Sequence, residues 1–246
     1  ALNEDWGTQW DGKQIQRWAE LLGRRVVRER DVELEAYERG HRPGCPANPP
    51  ALLVIGMDGG RVQSREKDGA SGSRWREDKV LTATSYLPGD GTQEHPPQPL
   101  VTTYLATMRL SEEFGKLVHV EAERRGLEQA QAVLVLGDGG NWIDPLSQRE
   151  RLCDQRIVDY YHAAEHLHEA AQAAVGSSSE AAAVLAESLK DDLWNGRLEQ
   201  VIGAMREHSE RLGPPQPSDG PDHPRRVLAN NVSYFEKHRR HMNYPD

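Results

Sequence analysis

The sequence predicts a mixed α/β layer fold followed by a block of helices. Three observations predict it. Two continuous apolar, β-rich runs, Ala51–Met57 and Ala132–Leu136, each lead into an Asp-Gly-Gly segment and read as buried strands. A Val/Thr-rich run, Lys79–Leu87, lies between them and reads as another strand. After about residue 162 the texture changes to Ala/Leu/Glu-rich helical periodicity broken by Gly and Ser.

Taken in order, residues 1–40 carry apolar positions at helical spacing, namely Ile15, Trp18, Leu21, Leu22 and Val26. Arg24, Arg25, Arg28 and Arg30 decorate the same stretch, as on a solvated basic face or a helical DNA-binding module. The proline-rich segment Arg42–Pro50 is a linker. Ala51–Met57 is the first strand, and Asp58-Gly59-Gly60 is expected to turn the chain into a second, Arg61–Glu66. Asp68–Ser73 reads as a Gly/Ser loop, Lys79–Leu87 as the third strand and Pro88–Pro99 as an exposed loop. Thr102–Arg125 shows helical periodicity through Leu105, Met108, Leu117, Val118 and Ala122, with Gly126 placed to cap it. Ala132–Leu136 is the fourth strand, Pro145–Leu152 a short helix and Arg156–Tyr160 the fifth strand. Helices are expected at Ala163–Val175, Glu180–Trp194 and Arg197–Leu212, then a Pro/Gly/Asp loop, then a last helix at Arg225–Met242. Three strands before the first internal helix imply an antiparallel meander joined to parallel crossover strands. The expected divisions are a helical segment at 1–45, an α/β core at 46–162 and a helical unit at 163–246.

Composition narrows the function. The 246 residues hold 30 Lys+Arg against 39 Asp+Glu, a net charge of −9. That excludes a broad cationic coat for nucleic acid but leaves room for a local basic patch. The longest apolar run is about seven residues, where a membrane span needs about 20. The N-terminal residues lack the basic-then-apolar order of a secretory signal, and Ala1 in place of Met points to a start inside a longer reading frame. Two cysteines, Cys45 and Cys153, cannot build a disulfide framework. With a mean hydropathy of −0.76, the expectation is a soluble protein of a reducing compartment.

The chemistry is expected at the acidic strand ends. Asp58 and Asp138 each follow a predicted strand. Asp-Gly is an ordinary turn dipeptide, but two such ends on adjacent strands would bring two carboxylates together. They repel unless a cation offsets them. Mg²⁺ takes one or two carboxylates plus water and substrate phosphate, and two metals can clamp both oxygens of an in-line phosphoryl displacement. Asp159 and His162 lie three apart and share one helical face if a helix begins near Asp159, which can also be its N-cap.

These segments resemble bacterial insertion-sequence transposases of the RNase H-like DDE superfamily, in its Mutator-like branch. The resembling pieces are VIGMDGGRV (54–62), RWREDKV (74–80), VLVLGDGGNWI (133–143), IVDYYHAAEHL (157–167) and SYFEKHRRHMNYP (233–245). The resemblance implies an RNase H-like mixed five-stranded sheet with flanking helices and an all-helical insertion after His162. It implies that Asp58 and Asp138 are the first two catalytic, metal-binding acids, with Mg²⁺ or Mn²⁺ as cofactor, and that Asp159 and His162 match the family's (C/D)xxH motif as supporting groups. It implies DNA as partner (element ends and target), a homo-oligomer when complete, and a bacterial cytoplasmic, nucleoid-associated location. The family's third acid is a Glu in a later Gly-Ser-Gly segment, past the point matching Tyr244-Pro245. The expectation is therefore a fragment, a truncated copy or a domesticated remnant that binds DNA weakly and gives no detectable strand transfer.

Two further features compete or assist. His162-Ala163-Ala164-Glu165-His166 fits the inverted zinc-peptidase pattern H-x-x-E-H, with Glu236 as a conceivable third ligand; that reading leaves Asp58 and Asp138 unexplained. Arg225, Arg226, Lys237, Arg239 and Arg240, near His223, His238 and His241, make the last helix locally basic and are the expected phosphate contacts. The remaining alternative is a non-catalytic DNA- or partner-binding remnant. Trp142 is expected to pack at the sheet edge or stack on a base, and Cys153 to be a buried small hydrophobe.

Overall fold

A computed structural model describes residues 11–245 apart from 66, 68, 70, 71, 91, 93, 177 and 178. Half of the Gly/Ser loop expected at Asp68–Ser73 (residues 68, 70 and 71) and the first ten residues lie outside the described part. The elements are helix α1 (Gly12–Glu38), strands β1 (Leu52–Gln63), β2 (Trp75–Leu87) and β3 (Gln98–Thr107), helix α2 (Ser111–Arg124), β4 (Ala132–Gly137), α3 (Ile143–Glu150), β5 (Gln155–Val158), and helices α4 (Tyr160–Val175), α5 (Glu180–Trp194), α6 (Leu198–Leu212) and α7 (Pro224–His238). A 3₁₀ turn, Arg239–His241, follows α7.

The five strands form one sheet in the order β3-β2-β1-β4-β5. β1 pairs antiparallel with β2, and β2 with β3; β1 pairs parallel with β4, and β4 with β5. This is the expected meander joined to parallel crossovers, and its order is consistent with an RNase H-like layout. Alternation sets the faces. Leu53, Ile55 and Met57 of β1 are buried with Leu81, Val133 and Val135 against α2 and α3, where Phe114 and Leu146 are fully enclosed. Val54, Gly56 and Asp58 therefore point to the opposite, half-open face.

Three local expectations need correction. Asp58-Gly59-Gly60 is not a turn, and Arg61–Glu66 is not a separate strand. β1 runs straight through to Gln63, because Trp75–Val80 of β2 pairs with every residue from Asp58 to Gln63 and the ladder outweighs the local turn preference. Thr102–Thr107 is strand, not helix. Residues 98–107 pair with β2, and their β-branched run suits a pleated surface, so α2 starts only at Ser111, with Glu112 and Glu113 in its first turn. α7 ends at His238 instead of running on to Met242.

α1 is capped as its sequence suggests. Asp11 accepts from Gln14 N at 2.8 Å, and the Gln14 side chain returns to Asp11 N. Its C-terminal third docks on the sheet layer through Leu34, the Asp31–Arg109 pair and the Arg30 hydrogen bond to Ala106 O. Ile15, Leu22 and Val26 remain exposed. A second core, built from Leu167, Leu193, Ile202, Leu228 and Phe235, joins α4 to α7 and takes in Val158 of β5. No helix is long and apolar enough to cross a membrane among the described residues.

Candidate functional site

Register brings three carboxylates to one place. Met57 of β1 pairs with Gly137 of β4, and Gly137 pairs with Val158 of β5. The next residue on each chain is Asp58, Asp138 and Asp159. Because successive side chains alternate across a sheet, all three leave toward the face opposite the Leu53/Ile55 core. They line one cavity of about 540 Å³, together with Gly56, Thr82, Leu136, His162 and Glu165 among others. Asp58 is exposed, and Asp138 and Asp159 are half-buried.

The three are held differently. Asp58 sits inside the β1–β2 ladder opposite Val80, and its Oδ1 accepts from Gly59 N at 2.7 Å. Asp138 follows the last residue of β4, and its Oδ1 accepts from Gly140 N at 2.8 Å in a tight turn. Asp159 is the N-cap of α4, its Oδ1 accepting from His162 N at 3.0 Å. That cap occupies one oxygen and offsets the positive end of the helix. Among the described residues, none of the three carboxylates forms an ion pair with a Lys or Arg. Three acids lining one cavity without a protein cation concentrate negative charge there, and carboxylate oxygens are the donors that hard divalent cations take. No group of three His, Cys, Asp or Glu side chains already converges in ligating geometry among the described residues.

His162 lies at the cavity wall, 3.8 Å from Glu165 through Nδ1 and edge-on to His166 with centroids 4.9 Å apart. His166 faces elsewhere. Its Nδ1 hydrogen-bonds Asn231 Oδ1 at 2.7 Å, and its ring stacks on Tyr234 at 3.9 Å; burial pushes its pKa down. Glu236, the other residue of a conceivable zinc set, is paired with Arg206. A larger cavity of about 660 Å³ lies between α4 and α7, lined by His166, Glu169, Asn230 and Asn231 among others. None of the three aspartates borders it.

The basic residues near the C-terminus do not form one open face. Arg225 holds Asp219 with two hydrogen bonds, at 2.7 and 3.1 Å, and with Gln216 N it keeps that carboxyl at a pKa of about 2. Arg239 pairs with Glu199 at 3.1 Å. Arg226 leans on Gln216 O. Lys237 hydrogen-bonds Asn141, next to the Asp138 turn, and Arg240 is exposed. Trp142 packs edge-on against Phe114, 5.6 Å between centroids, on the sheet-layer core. Cys153 is partly buried, which raises its thiol pKa.

Sequence reasoning missed two residues of the site's surroundings. Tyr234 donates its hydroxyl to Asp138 O at 3.2 Å, and Tyr244 donates to Val158 O at 3.1 Å. The partners lie 96 and 86 residues apart, so no local pattern announces them.

No family model matches the chain, and no curated protein matches it. Among solved structures it is similar to the Drosophila P element transposase strand transfer complex, at a TM-score of 0.31 and 11% identity over 87% of this chain and 72% of that one.

Proposed function

We propose that this chain is a DNA transposase of the RNase H-like DDE kind, close in its motifs to bacterial Mutator-like insertion-sequence enzymes. Its chemistry would be metal-dependent phosphoryl transfer on DNA. One observation carries the reading: Asp58, Asp138 and Asp159 follow register partners on three adjacent strands and share one cavity without a protein cation. The strand order and the GDGGNWI and DYYH segments support it.

Asp58 and Asp138 would hold Mg²⁺ or Mn²⁺. When bound, such ions activate the attacking hydroxyl and stabilise the leaving oxygen of a phosphodiester. The chain's own part is positional. β1 and β4 would present the two carboxylates from neighbouring strands, and phosphoryl transfer demands that such ligands be held firmly. Asp159 keeps α4 pointed into the cavity and retains one uncapped oxygen. His162, which lines the same cavity, would contact a DNA phosphate. Gly56 leaves room at the cavity floor, since a side chain there would run into Thr82 Oγ1. DNA, and further copies of the chain when the enzyme is assembled, are the partners this reading implies.

The second reading is a DNA- or partner-binding protein without catalysis. It is favoured by the absence of a converged three-ligand group among the described residues. Calorimetric titration with Mn²⁺, followed by incubation with linear DNA and Mn²⁺ at low salt, separates the two. Saturable Mn²⁺ binding that Asp58→Ala abolishes supports the metal site. No binding supports the second reading. Stoichiometric Zn²⁺ lost in His162→Ala and His166→Ala would instead support the peptidase pattern.

A further inference from the structure

β1 on one side and β4 and β5 on the other treat their acids differently. β1 continues five residues past Asp58, paired throughout with β2, so the ladder itself immobilises that residue. β4 stops at Gly137 and β5 at Val158, immediately before Asp138 and Asp159. The chain leaves the sheet at the point where the site needs it fixed, and the terminal carbonyls need donor partners from elsewhere. Gly137 O is taken by Asp159 N at 2.8 Å. The two carbonyls beside it, Asp138 O and Val158 O, are taken by the hydroxyls of Tyr234 and Tyr244.

Both rings are anchored in turn. Tyr234 stacks on His166, whose Nδ1 is held by the buried Asn231, itself bonded to Val227 O at 3.0 Å. Tyr244 meets Tyr160 edge-on at 5.3 Å. The turn they clamp is tight. Gly139 has φ +87°, and a Cβ there would lie 3.0 Å from the Tyr234 ring.

We propose that Tyr234 and Tyr244 are positioning residues that lock the C-terminal ends of β4 and β5 and so fix Asp138 and Asp159 relative to Asp58. On this view the final helix and the residues after it are a structural part of the acidic site. The clamp follows from the hydrogen bonds alone; its effect on metal affinity rests on the reading under Proposed function.

The test uses the full chain and three hydroxyl deletions that keep each ring: Tyr234→Phe, Tyr244→Phe and Tyr160→Phe. The last removes a hydroxyl bonded to Lys190 O at 3.4 Å, which touches neither strand end. Hydrogen–deuterium exchange is followed by peptide, and Mn²⁺ affinity by calorimetry. Losing one hydrogen bond should speed exchange about three- to tenfold, at 138–142 in Tyr234→Phe and at 158–161 in Tyr244→Phe. Mn²⁺ affinity should fall about tenfold in both, and Tyr160→Phe should change neither quantity. Unchanged exchange in both segments overturns the proposal. So does acceleration spread evenly over the whole chain, which would mark a general packing role. Local acceleration in a protein whose wild type binds no Mn²⁺ upholds the clamp and removes the metal reading.

Discussion

Met57 and Gly137 are register partners on β1 and β4, so the residues that follow them, Asp58 and Asp138, leave neighbouring strands on the same face. A parallel pairing slipped by one residue would send one of these carboxylates into the apolar core. The burial of Leu53, Ile55, Met57, Val133 and Val135 on the other face fixes that register. The packing of the sheet thus determines the electrostatics of the site.

Gly139→Ala should destabilise the chain. The position has φ +87°, a conformation that costs an L side chain about 1–2 kcal/mol, and the added methyl would press on Tyr234. Urea denaturation should show a lower midpoint at an unchanged slope. A midpoint equal to wild type would show that the turn relaxes without cost.

His238 makes stability depend on pH. It is buried at 3% exposure, and its pKa is lowered to about 4 by burial first, then by Lys237 and Arg156, with Asp144 acting the other way. The unfolded chain takes up this proton near pH 6.5, while the folded one does not until about pH 4. The unfolded state therefore binds more protons between those values, and stability falls as pH drops through that window, levelling off below it. The contribution is about 3 kcal/mol. Comparing wild type with His238→Phe from pH 7.5 to pH 4 should show a shallower decline in the variant; parallel curves would contradict the assignment.

DNA affinity should depend on few cations. Arg240 is exposed, whereas Arg225 and Arg239 are engaged with Asp219 and Glu199. Arg240→Ala is expected to weaken binding for all sequences alike and to reduce the salt slope by about 1. Arg225→Ala should leave the slope unchanged and lower the melting temperature, because Asp219 loses its partner. A salt slope that moves with Arg225 would reverse this assignment.

Much of this was legible in the sequence, for identifiable reasons. Ala51–Met57 and Ala132–Leu136 announce themselves because central strands need unbroken apolar runs, and the acid after each marks where the strand meets solvent. Asp159 is recognisable as a cap from its place before an Ala-rich helix. The errors arise where a local signal meets a distant one. Asp58-Gly59-Gly60 has turn composition, yet Lys79 and Asp78 pair across it. Leu105 and Met108 fall in phase with the following helix, which hid the strand signal of Val101, Thr102 and Thr103. The Tyr234 and Tyr244 clamps and the His166–Asn231 bond join residues too far apart for any periodicity to show. The basic character of the last helix was legible; its neutralisation by Asp219 and Glu199 was not, since those acids come from other segments.

Whether Asp58 and Asp138 together make a divalent-cation site is decided by Mn²⁺ titration watched by electron paramagnetic resonance. Saturable Mn²⁺ binding is expected in the wild-type chain, weakened at least tenfold in Asp58→Asn and in Asp138→Asn, with no further loss on combining them, since removing either acid already opens the site. Mn²⁺ binding that is absent, or that persists unchanged in the double variant, would contradict such a site.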